Sequence, residues 1–215
     1  MNKPRATSVR RFHIVLWSGT IAFALLAAGL FALRMQTEPE PKITYQGEAD
    51  IRSEFSLVDH TGRAVTEEDY ADRWQLVFFG FTYCPDICPT TLAYMGTVLD
   101  LLGEKADRVA PLFVTVDPER DTPEVLSDYV AAFHPRLTGL TGTEAQVAAA
   151  AEAFKVYYER LEDESAPDGY LMAHSGHIYL MRPDGRFEAV FLEGDQSPEA
   201  LAEEISRRIA KEDRS

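Results

Sequence analysis

An α/β fold with a central mixed sheet flanked by helices is the architecture this sequence predicts, and three observations predict it. Two nearly continuous apolar runs, "WQLVFFGF" (74–81) and "VAPLFVTVD" (109–117), suit strands buried on both faces. Segments with helical periodicity alternate with such runs along the chain. Late in the sequence "GHIYLM" and "FEAVFL" flank the turn signal "RPDG", which adds antiparallel strands to the sheet. A composition of 46% hydrophobic and 26% charged residues over 215 positions is that of a globular chain with room for one sizeable domain.

Residues 1–13 form a basic segment expected on the cytoplasmic side. The next 20 residues, "IVLWSGTIAFALLAAGLFAL" (14–33), carry no charge. At about 1.5 Å per residue they reach roughly 30 Å, the hydrocarbon thickness of a bilayer. Trp17 stands near one end as an interfacial anchor, and Lys3, Arg5, Arg10 and Arg11 precede the run. The positive-inside rule then holds the N-terminus in the cytoplasm (or matrix) and puts the rest across the membrane. A cleaved signal peptide competes with this reading. Its apolar stretch would be about 7–15 residues, and here the run continues past the small residues of "ALLAAG". No cysteine lies nearby to take a lipid anchor. Residues 34–50 contain Pro39 and Pro41 among charges and read as an extended stalk. At about 3 Å per residue, the roughly 20 residues before Phe55 reach on the order of 50 Å, enough to address a neighbouring membrane protein.

Residues 51–215 make the domain. "FSLVDHTGRAV" reads as a hairpin turning at "HTGR", and Thr66 with Asp69 opens a short helical turn. After the first buried strand, Leu92, Met95, Val98, Leu99 and Leu102 keep helical spacing. Thr122-Pro123-Glu124 starts a helix, "LTGLTG" is a short strand, and Thr143 with Gln146 forms a capping box for a helix to about Phe154. "VYYERL" and "GHIYLM" read as strands. Ser197-Pro198-Glu199 opens a last helix to about Lys211. A central βαβ unit with cysteines at its strand-to-helix junction points to a thioredoxin-like architecture.

Charge is uneven. Residues 1–34 carry +5, so a chain of net charge −14 leaves −19 on residues 35–215. Such a domain repels nucleic-acid phosphates and anionic membranes and favours a basic protein partner or a cation.

The only two cysteines, Cys84 and Cys88, sit in "FTYCPDICPTTL". Too few for a disulfide scaffold or a four-cysteine zinc site, they flank the start of a helix, whose orphan N–H groups and dipole stabilise thiolates. Both pKa values are therefore expected to fall. Pro85 and Pro89 stiffen the loop. Cys-X-X-X-Cys is wider than the Cys-X-X-Cys redox motif; it can close a disulfide, act in redox exchange, or share a soft metal such as Cu(I). Spacing alone leaves all three open. A metal would need a third ligand. His13 lies on the membrane's other side; His60 and His134 are expected to be solvated. His174 and His177 flank a strand entry, and residues three apart on one strand face opposite sides, so at most one of them points at the cysteines.

"GFTYCPDICPTTL", "VTVDPERDTPEVLSDY", "LTGLTGTEAQV" and "YLMAHSGHIYLMRPDGRF" together resemble the Sco (SenC) proteins, membrane-anchored thioredoxin-fold copper proteins, over roughly residues 54–209. The resemblance implies copper as cofactor, bound by Cys84, Cys88 and His174. It implies delivery to the CuA centre of cytochrome c oxidase subunit II, or thiol–disulfide exchange on that subunit's cysteines. It also implies a bacterial inner membrane with the domain in the periplasm, or the equivalent mitochondrial topology. Asp86 follows the family; tuning of the site or guidance of docking is one reading of it, and an ordinary exposed carboxylate in a turn is the other. Where the family commonly has an aspartate before the histidine, this chain has Ala173, which removes one means of orienting the imidazole. Met172 is a soft donor by type, with core packing as its expected role. A peroxiredoxin-like peroxidase and a structural assembly factor with an inert disulfide are the remaining classes.

Overall fold

Two seven-residue strands, β3 (Trp74–Gly80) and β4 (Val109–Thr115), form the centre of the sheet, and all fourteen of their residues are buried. They pair in parallel from Trp74↔Val109 to Gly80↔Thr115. A parallel pair needs a crossover, and α1 (Ile87–Leu102) supplies it. The computed structural model describes residue 26, residues 50–164, residues 166–212 and residue 214. The basic segment and transmembrane helix expected over 1–33, apart from Leu26, and the stalk up to residue 49 lie outside the described residues. Among the described residues no helix is long and apolar enough to cross a membrane. The elements below all belong to one unit of the chain, Thr44–Ser215.

The sheet has seven strands in the order β2 (Ala64–Thr66), β1 (Ser56–Asp59), β5 (Thr138–Thr141), β4, β3, β8 (His177–Met181), β9 (Phe187–Leu192). β4 and β5 are parallel; β1, β2, β8 and β9 join antiparallel. This is the mixed sheet that the alternating pattern predicts, in a thioredoxin-like arrangement. A further pair, β6 (Tyr158–Glu162) and β7 (Tyr170–His174), forms a separate antiparallel two-stranded sheet. β7 has no counterpart among the strands expected from the sequence, where "YLMAH" is assigned no element.

Local signals set the helix starts. Thr122 accepts from the Val125 N–H and Pro123 takes the first helical position of α2 (Pro123–Ala131). Thr143 and Gln146 bond reciprocally at the start of α3 (Glu144–Ala153). α4 (Pro198–Glu212) buries Leu201, Ala202, Ile205 and Ile209 and packs on α1. Its last residue, Glu212, accepts from the Trp74 indole N–H at 2.8 Å, tying the helix end to the sheet centre.

Alternation along β3 sorts the core. Phe79 points to Phe154 at the end of α3 and to Tyr179 of β8. Phe78 and Gly80 share the other face, against Phe113 and Cys88. The site is built on that second face.

Candidate metal centre

β3 ends at Gly80, and the chain takes six residues to enter α1. That loop is anchored from beneath. The backbone N–H and hydroxyl of Thr82 donate to the Asp121 carboxylate at 3.1 and 2.5 Å, and the Thr115 hydroxyl donates to the same group at 2.6 Å. Asp121 is fully buried, and burial raises its pKa above the ordinary carboxylate value against these bonds. Cys84 N–H turns back to the Phe81 carbonyl at 3.3 Å. Cys84 is half-buried at the mouth of the loop; Cys88, in the first turn of α1, is fully buried.

Gly80 makes room for that burial. A Cβ there would lie 2.8 Å from both Cys88 Sγ and Phe113 Cε2. The reason a glycine ends this strand is therefore close approach of the sulfur, not an unusual backbone angle.

His174 is the last residue of β7, opposite Tyr158. Its Nε2 lies 3.4 Å from Cys88 Sγ. Its Nδ1 lies 3.2 Å from the Ser175 carbonyl oxygen. The tautomer with its N–H at Nδ1, donating to that carbonyl, is the one that leaves the Nε2 lone pair free for a metal. A main-chain acceptor thus orients the ring at a site where Ala173 offers no carboxylate. The ring also meets Phe78 and Phe81 edge-on, with centroids at 6.0 and 5.8 Å. The three donor atoms of Cys84, Cys88 and His174 all lie within 4.8 Å of one another.

The two thiols differ, which corrects the expectation that both become acidic. Cys84 falls to about 4. A hydrogen bond from the Cys88 thiol is the largest cause; it outweighs burial and is helped by His174 and by the Cys88 and Asp86 backbone. The Cys88 N–H donates to Cys84 Sγ at 3.3 Å. Cys88 goes the other way: its bond to the Cys84 sulfur, then burial, then the neighbouring negative charge hold its proton on. The metal-free site is thus a half-buried thiolate backed by a fully buried thiol.

The other sequence candidates fall elsewhere. His60 accepts from the Gly139 N–H at 3.0 Å, and His134 is buried, accepting from the Arg136 N–H at 3.1 Å. His134 is thus buried against the expectation that it is solvated, satisfying a loop N–H, while His60 stays partly exposed and satisfies an N–H of β5. His177 opens β8, its ring edge-on to Tyr179, outside the three-donor group. His174 and His177 are not on one strand: Ser175 and Gly176 separate β7 from β8, so the facing argument does not apply. His13 lies outside the described residues. Asp86 is exposed at the N-cap of α1 without a side-chain capping bond. Met172 packs against the core. Gly80, the Ser175 carbonyl and the Phe78–Phe81 walls escaped sequence reasoning. Only Gly80 had a signal, as a glycine closing an otherwise bulky strand.

Two sulfurs and one imidazole nitrogen are a soft donor set that suits Cu(I), and three is a number it accepts. In comparison with known proteins, a sequence model of the family described as SCO1/SenC matches residues 43–210. Protein SCO2, mitochondrial, of Saccharomyces cerevisiae is 34% identical over 226 residues, covering 100% of this chain and 75% of the yeast protein. The structure of Bradyrhizobium japonicum ScoI with copper bound is 39% identical with a TM-score of 0.68, across 73% of this chain and 98% of that one. BsSco, a member of the Sco family of cytochrome c oxidase assembly proteins, shares the fold at 23% identity and a TM-score of 0.57, across 75% of this chain and 95% of that one.

Proposed function

This chain belongs to the SCO1/SenC family, and on that premise we propose that it binds copper through Cys84, Cys88 and His174 and delivers it during cytochrome c oxidase assembly. The recipient in this reading is the CuA centre of oxidase subunit II. The single observation that carries it is the convergence of three soft donors within 4.8 Å, from a loop, a helix and a separate hairpin. The copper-bound ScoI relative supports it, and BsSco belongs to a family of oxidase assembly proteins.

Each residue has a task. The Cys84 thiolate, half-buried at the mouth of the loop and less covered than Cys88, makes first contact with incoming metal. Cys88 gives up its proton as it becomes a ligand, so uptake releases a proton. His174 offers Nε2 while the Ser175 carbonyl holds Nδ1–H. Transfer outward proceeds by ligand exchange, the partner's thiols replacing this chain's donors one at a time. The 14–33 segment would hold the domain at the membrane surface where that partner sits, in a bacterial inner membrane or its mitochondrial equivalent.

Copper titration of the reduced full chain tests this reading. One copper per chain is expected, with a sulfur-to-Cu(II) charge-transfer band. Cys84→Ser should lose the band, and His174→Ala should weaken binding and shift it. A wild type that takes no copper against a competing chelator ends the proposal; an unchanged His174→Ala removes the third ligand.

The asymmetric thiols favour a second reading, reduction of a disulfide on the oxidase subunit. The Cys84 thiolate would attack one partner sulfur, forming a mixed disulfide and releasing a partner thiolate. Cys88, losing its proton, would then attack Cys84 Sγ, form the Cys84–Cys88 disulfide and release the second partner thiolate. Two electrons pass to the partner, and His174 is not needed. A Cys88→Ser variant should therefore accumulate the mixed disulfide through Cys84, and His174→Ala should still reduce the partner. Retention of activity in Cys84→Ser would exclude this reading.

A further inference from the structure

The β6–β7 hairpin that carries His174 is not hydrogen-bonded as a strand into the seven-stranded sheet. No strand pairing with that sheet fixes its orientation over the cysteines, and one side chain meets both halves of the site. We propose that Arg120 is the positioning residue that locks the histidine hairpin onto the cysteine loop.

Arg120 lies in the 117–122 loop with its side chain only 8% exposed. Its Nε is 2.5 Å from Asp117 Oδ2, which fixes the guanidinium plane. On one side that plane meets the cysteine loop, with Cζ 4.6 Å from the Tyr83 ring centroid, and Tyr83 adjoins Cys84. It also meets β7: Cζ is 3.7 Å from the Tyr170 ring centroid, and Nη1 donates to the Tyr170 carbonyl at 3.4 Å. Arg160 of β6 lies over Tyr170 as well, its Cζ at 3.7 Å, and pairs with Glu119 at 3.1 Å. The Tyr170 hydroxyl donates to Asp117 at 3.0 Å. Tyr83, Arg120, Tyr170 and Arg160 are thus linked as alternating rings and cations, from the residue beside one cysteine to both strands of the histidine hairpin.

A stack of this kind needs a planar cation. Lysine would keep the charge against Asp117 but cannot lie flat between two rings or reach the Tyr170 carbonyl with the same geometry. The consequence is specific. Loss of the stack frees the hairpin, and with it His174 Nε2, while Cys84 and Cys88 stay in place on the β3–α1 junction. In its copper-loaded form the test rests on the copper reading given above; in its metal-free form it does not.

The experiment compares wild type, Arg120→Lys, Tyr83→Leu, Tyr170→Leu and Tyr170→Phe in the full chain. Tyr170→Phe keeps the ring and loses only the hydroxyl. In the metal-free protein the readouts are amide hydrogen exchange and the nuclear Overhauser contact between the His174 and Phe81 rings. Arg120→Lys and Tyr170→Leu should raise β6–β7 exchange about tenfold and lose the ring contact, with β3 and β4 unchanged. Tyr83→Leu should show the same changes to a smaller degree, and Tyr170→Phe should stay near wild type. In the Cu(II)-loaded protein, nitrogen hyperfine coupling should fade in Arg120→Lys as in His174→Ala, with the sulfur charge-transfer band retained. Wild-type exchange and ring contact in Arg120→Lys would overturn the proposal. So would a rise in exchange that includes β3 and β4, which would make Arg120 a general stabiliser. A wild type that takes no copper removes the function proposed above and leaves the metal-free comparison to decide this one.

Discussion

Cys84 and Cys88 carry the same thiol, and their surroundings give it opposite properties. Cys84 has its proton-bound form disfavoured down to about 4, chiefly by the hydrogen bond from Cys88. Its folded pKa is depressed, so the associated stability is present above the unfolded value and is lost as pH falls through about 4. In the working range Cys84 is thiolate throughout. Alkylation of the metal-free protein by iodoacetamide should therefore change less than about threefold between roughly pH 5.5 and 8, where an ordinary thiol loses close to tenfold per unit below its pKa. A rate that falls tenfold per unit would show that Cys88 does not support the anion. Gly80 is the other residue on which this arrangement turns. A methyl group there would press on Cys88 Sγ and Phe113 at 2.8 Å. Gly80→Ala should cost about 1–3 kcal/mol by overpacking, measured by urea unfolding, and Phe113→Leu in the same chain should recover part of it. An unchanged midpoint would mean that the sulfur moves aside freely.

The elements that announce themselves in the sequence are those whose cause is local. β3 and β4 are continuous apolar runs, and α2 and α3 begin at Thr-Pro and at a Thr–Gln capping box, all found where expected. Thr143→Ala removes that cap and should cost about 1 kcal/mol, read as a lower midpoint with unchanged denaturant slope; Thr143→Asn should be close to neutral. β7 was illegible for a physical reason. Leu171, Met172 and Ala173 are successive apolar residues with no alternation, and the strand exists by pairing with β6. The site divides the same way. The cysteines can be read from their position at a strand-to-helix junction. His174 stands out only by resemblance, since its approach to Cys88 requires β7 to end and β8 to begin within two residues. Nothing in the spacing of Tyr83, Arg120, Arg160 and Tyr170 foretells their convergence, which is a property of the assembled loops.

Over the whole molecule the dominant long-range feature is charge, −19 on residues 35–215. Self-repulsion at that level opposes folding and is screened within about 10 Å at 0.1 M salt. Raising sodium chloride from roughly 0.02 to 0.5 M should lift the Tm by on the order of a few degrees; a fall would show that surface ion pairs outweigh the repulsion. The same field should slow association with an acidic partner and speed it with a basic one. One last property follows from where the donors come from. Cys88 and His174 are 86 residues apart in the chain, and bringing them within 3.4 Å closes a loop of about half the domain. In an unfolded chain that closure would cost on the order of 4 kcal/mol in entropy, and the folded sheet has already met it. The third donor is thus in place only in a molecule whose strands β3 to β8 have assembled. On the copper reading proposed above, a partly synthesised or misfolded copy would offer two sulfurs and no imidazole, and its weaker grip on the metal would report that its folding is unfinished.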